Sequence, residues 1–287
     1  GGERGYGDLT AARFADDANV SHARDVVLVI EKQDPIRSGD PRKLPDTNVV
    51  PTMTYFLAAE LCGDRNGANA GAVVSDAVKI VQAAHIPVVG CNPLHLDQAT
   101  LISDKESQPN GIEIVAVRSV PFIMQISDPH MISQEGFMAR VTKFLEQKGA
   151  NIEHTVTSES SITITLTKGL TKGVVDDLAL DLRQAFCQSQ SPEIKFGNDL
   201  AGIFCLGNNM KKEGVMSGAT LALAAAGVDI HISAQGMNEA VMLFCIDAEK
   251  ADITARYIHR FCIKERDARE YLMRVTLAAV RCICEQK

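Results

Sequence analysis

The sequence has no apolar run near the ~18 residues that a membrane-spanning helix requires, which argues against an α-helical membrane protein. It also has no block of consecutive basic residues. With a formal charge of −7, the chain lacks the electrostatic footprint of a nucleic-acid binder. No secretory pattern is visible near the start, so a cytoplasmic protein is expected, although the first residue is not Met. Eight cysteines are present, but they form no framework. Cys62, Cys91, Cys187, Cys205, Cys245 and Cys262 are scattered, several within apolar runs. Cys282 and Cys284 stand close together without a second pair at zinc-ligand spacing. Buried, reduced thiols are therefore expected. The seven histidines form no metal-ligand constellation, and no metal site is expected. What is present is ordinary: 287 residues, 46% hydrophobic and 23% charged, enough for one large or two to three small domains.

The chain contains a duplication. Residues 135–153, EGFMARVTKFLEQKGANIE, align without a gap with residues 213–231, EGVMSGATLALAAAGVDIH, at an offset of 78. Glu-Gly, Met, Leu, Gly and Ile recur at fixed positions, which marks a repeated structural unit. Phe137, Val141, Phe144 and Leu145 follow helical spacing, so they define one apolar face. Gly149 and Gly227 stand just past the helix ends, where a positive-φ cap is expected. Residues 161–166 alternate Ser/Thr with Ile/Leu and read as a strand with one buried face. Residues 240–246 are apolar throughout, as in a strand buried on both faces. Strands also precede each helix, over 122–126 and 201–206. The repeated unit is expected to be strand, helix, strand, strand, with a further helix possible, as in a ferredoxin-like α+β fold.

Upstream, residues 1–11 form a glycine-rich stretch running into a helix over 10–18. A loop of this kind places backbone N–H groups where an anion can meet them. Val26 to Ile30 read as an interior parallel strand, followed by a breaker-rich polar loop over 31–42, where α/β proteins place ligands. Helices are expected over 55–62 and 75–84, a short strand over 85–90, and a linker near 103–111. Leu272, Val275, Thr276, Ala279 and Ile283 form a helical stripe in the tail, expected to pack on the domain or on a partner. The organisation expected is an α/β region over 1–103, a linker over 104–111, α+β units over 112–190 and 191–265, and a helix over 266–287.

Several motifs resemble those of the aspartate kinase family. Arg4-Gly5-Tyr6-Gly7-Asp8-Leu9-Thr10-Ala11 is similar to its Arg-Gly-x-(Ser/Thr)-Asp-x-x-Ala loop, and Asp40-Pro41-Arg42 to its Asp-Pro-Arg. Ile86-Pro87-Val88 and Thr100-Leu101-Ile102 follow in the family's order, ahead of a repeat that resembles tandem ACT domains. The resemblance implies the C-terminal half of an amino-acid kinase fold, a parallel sheet with flanking helices, followed by two ferredoxin-like regulatory domains. It implies phosphoryl transfer from ATP to the β-carboxylate of aspartate, with Mg, in aspartate-family amino-acid biosynthesis. Arg4 and Asp8 fall on positions that hold substrate aspartate. Asp34, Arg37 and Arg42 fall in the nucleotide region. Met131, Gln134, Gly136 and Phe137 before the first repeat's helix, with Glu153, Thr157 and Ser158 on the strand after it, fall on positions of a lysine or threonine effector site. In the second repeat the polar candidates are Asn208, Asn209, Gln235 and Asn238.

The pattern also departs from the family. The Lys-Phe-Gly-Gly-Thr-Ser motif is absent, so the sequence starts where the second half of a kinase domain is expected. Gly7 stands for a hydroxyl residue, Glu31-Lys32-Gln33-Asp34-Pro35 for Thr-Asp-Val-Asp-Gly, Arg37 for an aromatic and Cys91 for a lysine. Losing one buried charge-assisted contact to phosphate costs roughly 2–4 kcal/mol of transition-state stabilisation. Several such losses would leave this chain with essentially no turnover alone, and no catalytic residue is assigned. Three readings stay open. The first is a regulatory chain, joined to a complete kinase chain or dimeric through its ACT domains. The second is an incomplete piece of an active kinase. The third is an ACT scaffold without ligand.

Overall fold

The computed structural model describes residues 6–20, 26–32, 34–62, 75–105, 111–120, 122–131, 134–166, 169–186, 192–197, 199–236 and 240–285. Three four-stranded sheets organise the described residues. The first follows α1 (Tyr6–Val20) and contains β1 (Leu28–Glu31), β2 (Thr52–Thr54), β3 (Val88–Asn92) and β4 (His95–Ser103), in the order β1-β3-β4-β2. Two helices lie between β2 and β3 in sequence: α2 (Tyr55–Cys62) and α3 (Ser75–Ala83). Thr54 caps α2, its Oγ1 accepting from the Leu57 amide at 3.2 Å. Leu28, Ile30, Met53, Val88 and Ile102 bury one face of the sheet beneath α1, α2 and α3.

Two expectations for this layer are corrected. The sheet is mixed rather than wholly parallel: β1 runs parallel to β3, but β4 is antiparallel to β3 and parallel to β2. The connection from Asn92 to His95 is too short for a crossover, so the chain must return as a hairpin. In addition, β1 is an edge strand with one open face. Leu28 and Ile30 are buried, whereas Val27 and Val29 are 50% and 62% exposed.

The second and third sheets interleave in sequence. β6 (Phe122–Ser127), β7 (Ile152–Thr157), β8 (Ser161–Leu166) and β9 (Glu193–Gly197) form one sheet in the order β7-β8-β6-β9. Helices α4 (Phe137–Gln147) and α5 (Lys172–Ala185) supply Phe137, Val141, Leu145, Val175, Leu178 and Leu182 to its core. The other sheet takes β10 (Leu200–Asn208), β11 (Ile232–Gln235) and β12 (Val241–Asp247), and its fourth strand is β5 (Gly111–Val120), from before the first unit. β5 pairs antiparallel with β10 along its length. The sequential division at 190/191 therefore does not follow the sheets. Residues 112–120 complete the second unit, and β9, beyond 191, completes the first. Hydrogen bonding to a free sheet edge, not chain order, decides membership.

The duplication is written in the backbone. Gly136 and Gly214 precede α4 and α6 (Val215–Ala225) with φ of 80° and 86°, and Gly149 and Gly227 follow them with φ of 64° and 66°. L-residues with a Cβ pay for that region sterically, so glycine at both ends of both helices matches the geometry.

The β5-containing sheet is the central layer. Every residue of β10 is buried, and β12 is buried except at its ends, as its unbroken apolar sequence suggested. One face packs under α6 and α7 (Ala251–Ile258). The other, through Ile114, Ala116, Phe204, Leu206 and Leu243, shares a core with α2, α3 and the first sheet. After a π-helical turn at His259–Lys264, α8 (Arg266–Glu285) ends the described chain. Two residues of the expected α8 stripe stand clear of this chain's own core, and the side chains of Ala279 and Ile283 lie outside the described residues. Leu272 and Val275 are each 52% exposed, while Arg269 and Met273 are buried.

Gly207 marks the tightest crossing of β5 and β10: a Cβ there would lie 1.8 Å from the Gly111 carbonyl oxygen. Gly207→Ala is expected to destabilise the chain by about 3 kcal/mol through backbone overpacking, read as a lower urea midpoint. An unchanged midpoint would show that this pairing is not required.

Candidate functional site

The first candidate region lies at the C-terminal end of the parallel pair β1–β3. Asp8 sits in the first turn of α1, and Lys32 follows β1. The Lys32 ammonium donates to Asp8 Oδ2 at 2.8 Å, with side chains only 20% and 16% exposed. The Lys32 amide donates to the Cys91 carbonyl at 2.9 Å. A cation is thus held one strand away from Cys91, the position where the resembled family carries lysine. Asp8, expected to meet a substrate ammonium, meets a lysine of its own chain. Arg4 lies outside the described residues.

The expected nucleotide residues serve a strap over 36–50. Arg37 reaches the Thr47 carbonyl at 3.3 Å and Asp34 at 3.7 Å, and Asp34 is exposed. Arg42 is exposed and grips Asp40, with Nε to Oδ1 at 2.9 Å and Nη2 to Oδ2 at 2.7 Å. That bond holds the Asp40 carboxyl below its usual range. The strap is tied to the far side of the central layer. Lys43 pairs with Asp252 at 2.7 Å, and Arg256 donates to the Lys43 carbonyl at 3.0 Å. Lys264 donates to Asn48 Oδ1 at 2.5 Å, and buried Ser38 Oγ bonds His259 Nε2 at 2.8 Å.

The candidate effector residues divide between two places. Met131 and Gln134 form successive turns before α4: Met131 donates to the Asp128 carbonyl and Gln134 to the Met131 carbonyl, both at 3.1 Å. Gly136 caps α4 without a side-chain hydrogen bond, and Phe137 is buried against Phe186 at 5.2 Å between ring centroids. The β7–β8 turn lies beside this loop, since the Asp128 amide donates to the Ser160 carbonyl at 2.9 Å. Thr157 and Ser158 are therefore at the same end of the sheet, and Ser158 Oγ meets Ser161 Oγ at 2.8 Å. Glu153 is at the other end of β7, about 16 Å away at ~3.3 Å per residue. It is near Cys245, whose thiol burial pushes up to about 12, with the Glu153 carboxylate adding to the rise.

That second place is a junction of all three layers, and sequence reasoning missed it. Arg118 on β5 donates through Nη2 to the Glu60 carbonyl and, at 3.1 Å, to the Leu61 carbonyl at the end of α2. Its guanidinium lies 4.3 Å from the Phe204 ring centroid, and His154 of β7 lies 5.5 Å from the same ring. Burial, with Arg118 adding, holds the His154 imidazole below its ordinary pKa. No spacing signal marks Arg118, because its partners come from three distant segments. Asp128, also missed, is buried and accepts from the His130 amide at 2.8 Å. The Asp128-Pro129 pair was its signal, as a turn initiator. In the second unit, Asn208 donates to Glu113 at 3.0 Å and Gln235 to the Met210 carbonyl at 3.2 Å. Asn209 takes a φ of 50°, and Asn238 lies outside the described residues.

Three thiols of the second unit are withdrawn from solvent. Cys205, Cys245 and Cys262 are buried, and burial raises the pKa of each.

A mixed α/β layer carrying two interleaved ferredoxin-like units defines the fold class of this chain. Comparison agrees. The chain is 26% identical over 268 residues to aspartate kinase Ask_Ect of Stutzerimonas stutzeri, covering 91% of this chain and 53% of that one. It is 25% identical over 288 residues to the chloroplastic aspartokinase 1 of Arabidopsis thaliana, covering 96% and 47%. Its fold superposes on Clostridium acetobutylicum aspartate kinase with a TM-score of 0.75 at 20% identity, covering 90% of this chain and 58% of the other. With Escherichia coli aspartokinase III in complex with aspartate and ADP the TM-score is 0.72 at 22% identity, covering 90% and 56%. That enzyme has also been solved with lysine and aspartate, a fold match at 0.68. No protein-family model matches the chain. In sequence and in fold the chain is similar to the aspartate kinases. It spans about half the length of the curated relatives it matches.

His259 gives a pH dependence. Burial and the nearby Lys264 lower its pKa, against a smaller rise from Asp46. The unfolded chain therefore takes the proton first. Full stability from this group is present above the unfolded value of about 6.5 and is lost as pH falls below it. Unfolding midpoints measured at pH 7.5 and 5.5 are expected to fall more steeply for the native chain than for His259→Asn, which keeps a polar group beside Ser38. Equal slopes would remove His259 as the cause.

Proposed function

We propose that this chain is the regulatory portion of an aspartate kinase system. It binds an aspartate-family amino acid, lysine or threonine, at the first interleaved unit and transmits occupancy to phosphoryl transfer. The observation that carries the reading is the division of the candidate effector residues. Residues 134–137 with Thr157 and Ser158 offer glycine-exposed backbone and hydroxyls at the α4 N-terminus, suited to an α-carboxylate. Glu153, suited to an ammonium, lies at the opposite end of β7. A single copy does not present both halves to one small ligand, so the reading requires a second unit alongside. The functional form is therefore a dimer through these sheets, or a pairing with a complete kinase chain. The complex of Escherichia coli aspartokinase III with lysine and aspartate supports this choice of ligand.

Arg118 supports transmission. It bridges the end of α2 to Phe204 and His154, next to Glu153, so a ligand-driven shift of β7 acts directly on the kinase-like layer. In that layer the lysine of the family pattern is replaced by Cys91, and Asp8 is occupied by Lys32. ATP and Mg would be held chiefly by residues outside this chain.

A second reading, an incomplete piece of an active kinase, is favoured by the open apolar face of β1 around Val27 and Val29. Calorimetry separates the two. Lysine or threonine is expected to bind and stabilise the chain, by about 2.7 kcal/mol at one hundred times the Kd. ATP·Mg is expected to give no isotherm. Micromolar ATP binding would favour the piece of an active enzyme, and silence toward every amino acid would leave a scaffold. Glu153→Ala is expected to weaken the amino-acid isotherm about tenfold, the loss of one charge-assisted contact.

A further inference from the structure

The duplication builds one helix end twice, once filled by a side chain of this protein and once open. Gly149 follows α4 and Gly227 follows α6, at the same offset of 78 and with φ of 64° and 66°. Both close their helices alike. The Gly149 amide donates to the Glu146 carbonyl at 2.9 Å, and the Gly227 amide to the Ala224 carbonyl at 3.0 Å. A helix C-terminus carries partial negative charge and unpaired carbonyls, and a lysine ammonium answers both. In the second unit the chain supplies one: Lys250, at the N-cap of α7, donates through Nζ to the Gly227 carbonyl at 3.1 Å.

Among the described residues, no lysine reaches the Gly149 carbonyl in the first unit. Lys172 opens α5, which follows the last repeat strand as α7 does, and it forms no hydrogen bond or ion pair among the described residues. A cavity of about 430 Å³ lies at this helix end, lined by Thr142, Glu146, Gly149, Ala150, Asn151 and Ile152. Glu146 is particular to this copy, since its counterpart in the second unit is Ala224. It stands three residues before Gly149, on the same side of the last turn. Its carboxylate has no partner among the described residues. Ala150 and Ile152 give the cavity an apolar wall. Where the second unit holds an ammonium by one carbonyl, the first adds a full negative charge and room for a small molecule.

We infer that the cavity at the C-terminal end of α4 binds a short-chain primary amine in its ammonium form. The ammonium donates to the Glu146 carboxylate and the Gly149 carbonyl, which its three N–H groups can serve together. The alkyl chain lies on Ala150 and Ile152. The site is apart from the candidate effector residues and does not depend on the function proposed for them. Residues 134–137 are at the other end of the 11-residue α4, about 16 Å away at ~1.5 Å per residue. Glu153 is near Cys245 of the central sheet, whereas Ile152 packs with the first unit's own core.

The test is a two-dimensional NMR titration of the full chain with n-butylamine at pH 7, where an alkylamine is charged. Saturable shifts of the Gly149 and Asn151 amide signals are expected, with a midpoint on the order of millimolar. The Gly227 amide should stay still, because Lys250 holds that helix end. Tetramethylammonium has the charge but no N–H donor, and should give no saturable shift. Glu146 is exposed, so Glu146→Gln keeps the fold and is expected to raise the midpoint about tenfold. The exposed control Glu193→Gln should leave it unchanged. No saturable shift at Gly149, an equal shift at Gly227, an equal response to tetramethylammonium, or an unchanged midpoint in Glu146→Gln would overturn the site.

Discussion

The pairing of β5 with β10 is the constraint on which the rest of this structure depends. β5 leaves the first layer, crosses to the second ferredoxin-like unit and closes its sheet, while the first such unit is inserted behind it. The central sheet cannot be completed without the strand that tethers it to the first layer. That strand also carries Arg118, whose guanidinium joins the end of α2 to Phe204. Closing the sheet thus brings the kinase-like layer, the inserted unit and the C-terminal helices into contact.

Burial on both faces follows from this topology. A lone ferredoxin-like sheet covers one face with its own helices and leaves the other for water or a partner. Here the other face of the central sheet is taken by α2, α3 and the first layer. β10 and β12 are accordingly apolar on both sides, whereas β8 in the inserted unit alternates between Ile/Leu and Ser/Thr. The contrast between two copies of one fold is a contrast in position: one is an inner layer and the other an outer one.

The polar strap over 36–50 shows how a family motif can acquire a structural role. Asp40 and Arg42 satisfy each other, and Lys43, Asn48 and Ser38 are engaged by Asp252, Lys264 and His259. These bonds hold the far side of the central layer against the first sheet, opposite the Arg118 junction. Two separate tethers restrain the layers, and both reach the regulatory helices or strands.

Local patterns determined much of this protein by themselves. The offset repeat announced two copies of one unit, and Gly149 and Gly227 announced their helix caps, because period and positive φ are properties of short segments. The spans of α2, α3, α4, β8 and β12 were legible for the same reason. Candidate residues on one loop, such as Met131 to Phe137, were also legible, since one turn carries them. Tertiary structure alone decided the interleaving of β5 and β9, the open face of β1 and the burial of Arg269 and Met273 on α8. It alone placed Lys32 on Asp8, and Arg118 among Glu60, Leu61, Phe204 and His154. Strand exchange and ion pairing between distant segments are set by which edges and charges remain unsatisfied once the chain collapses, and no local period records that.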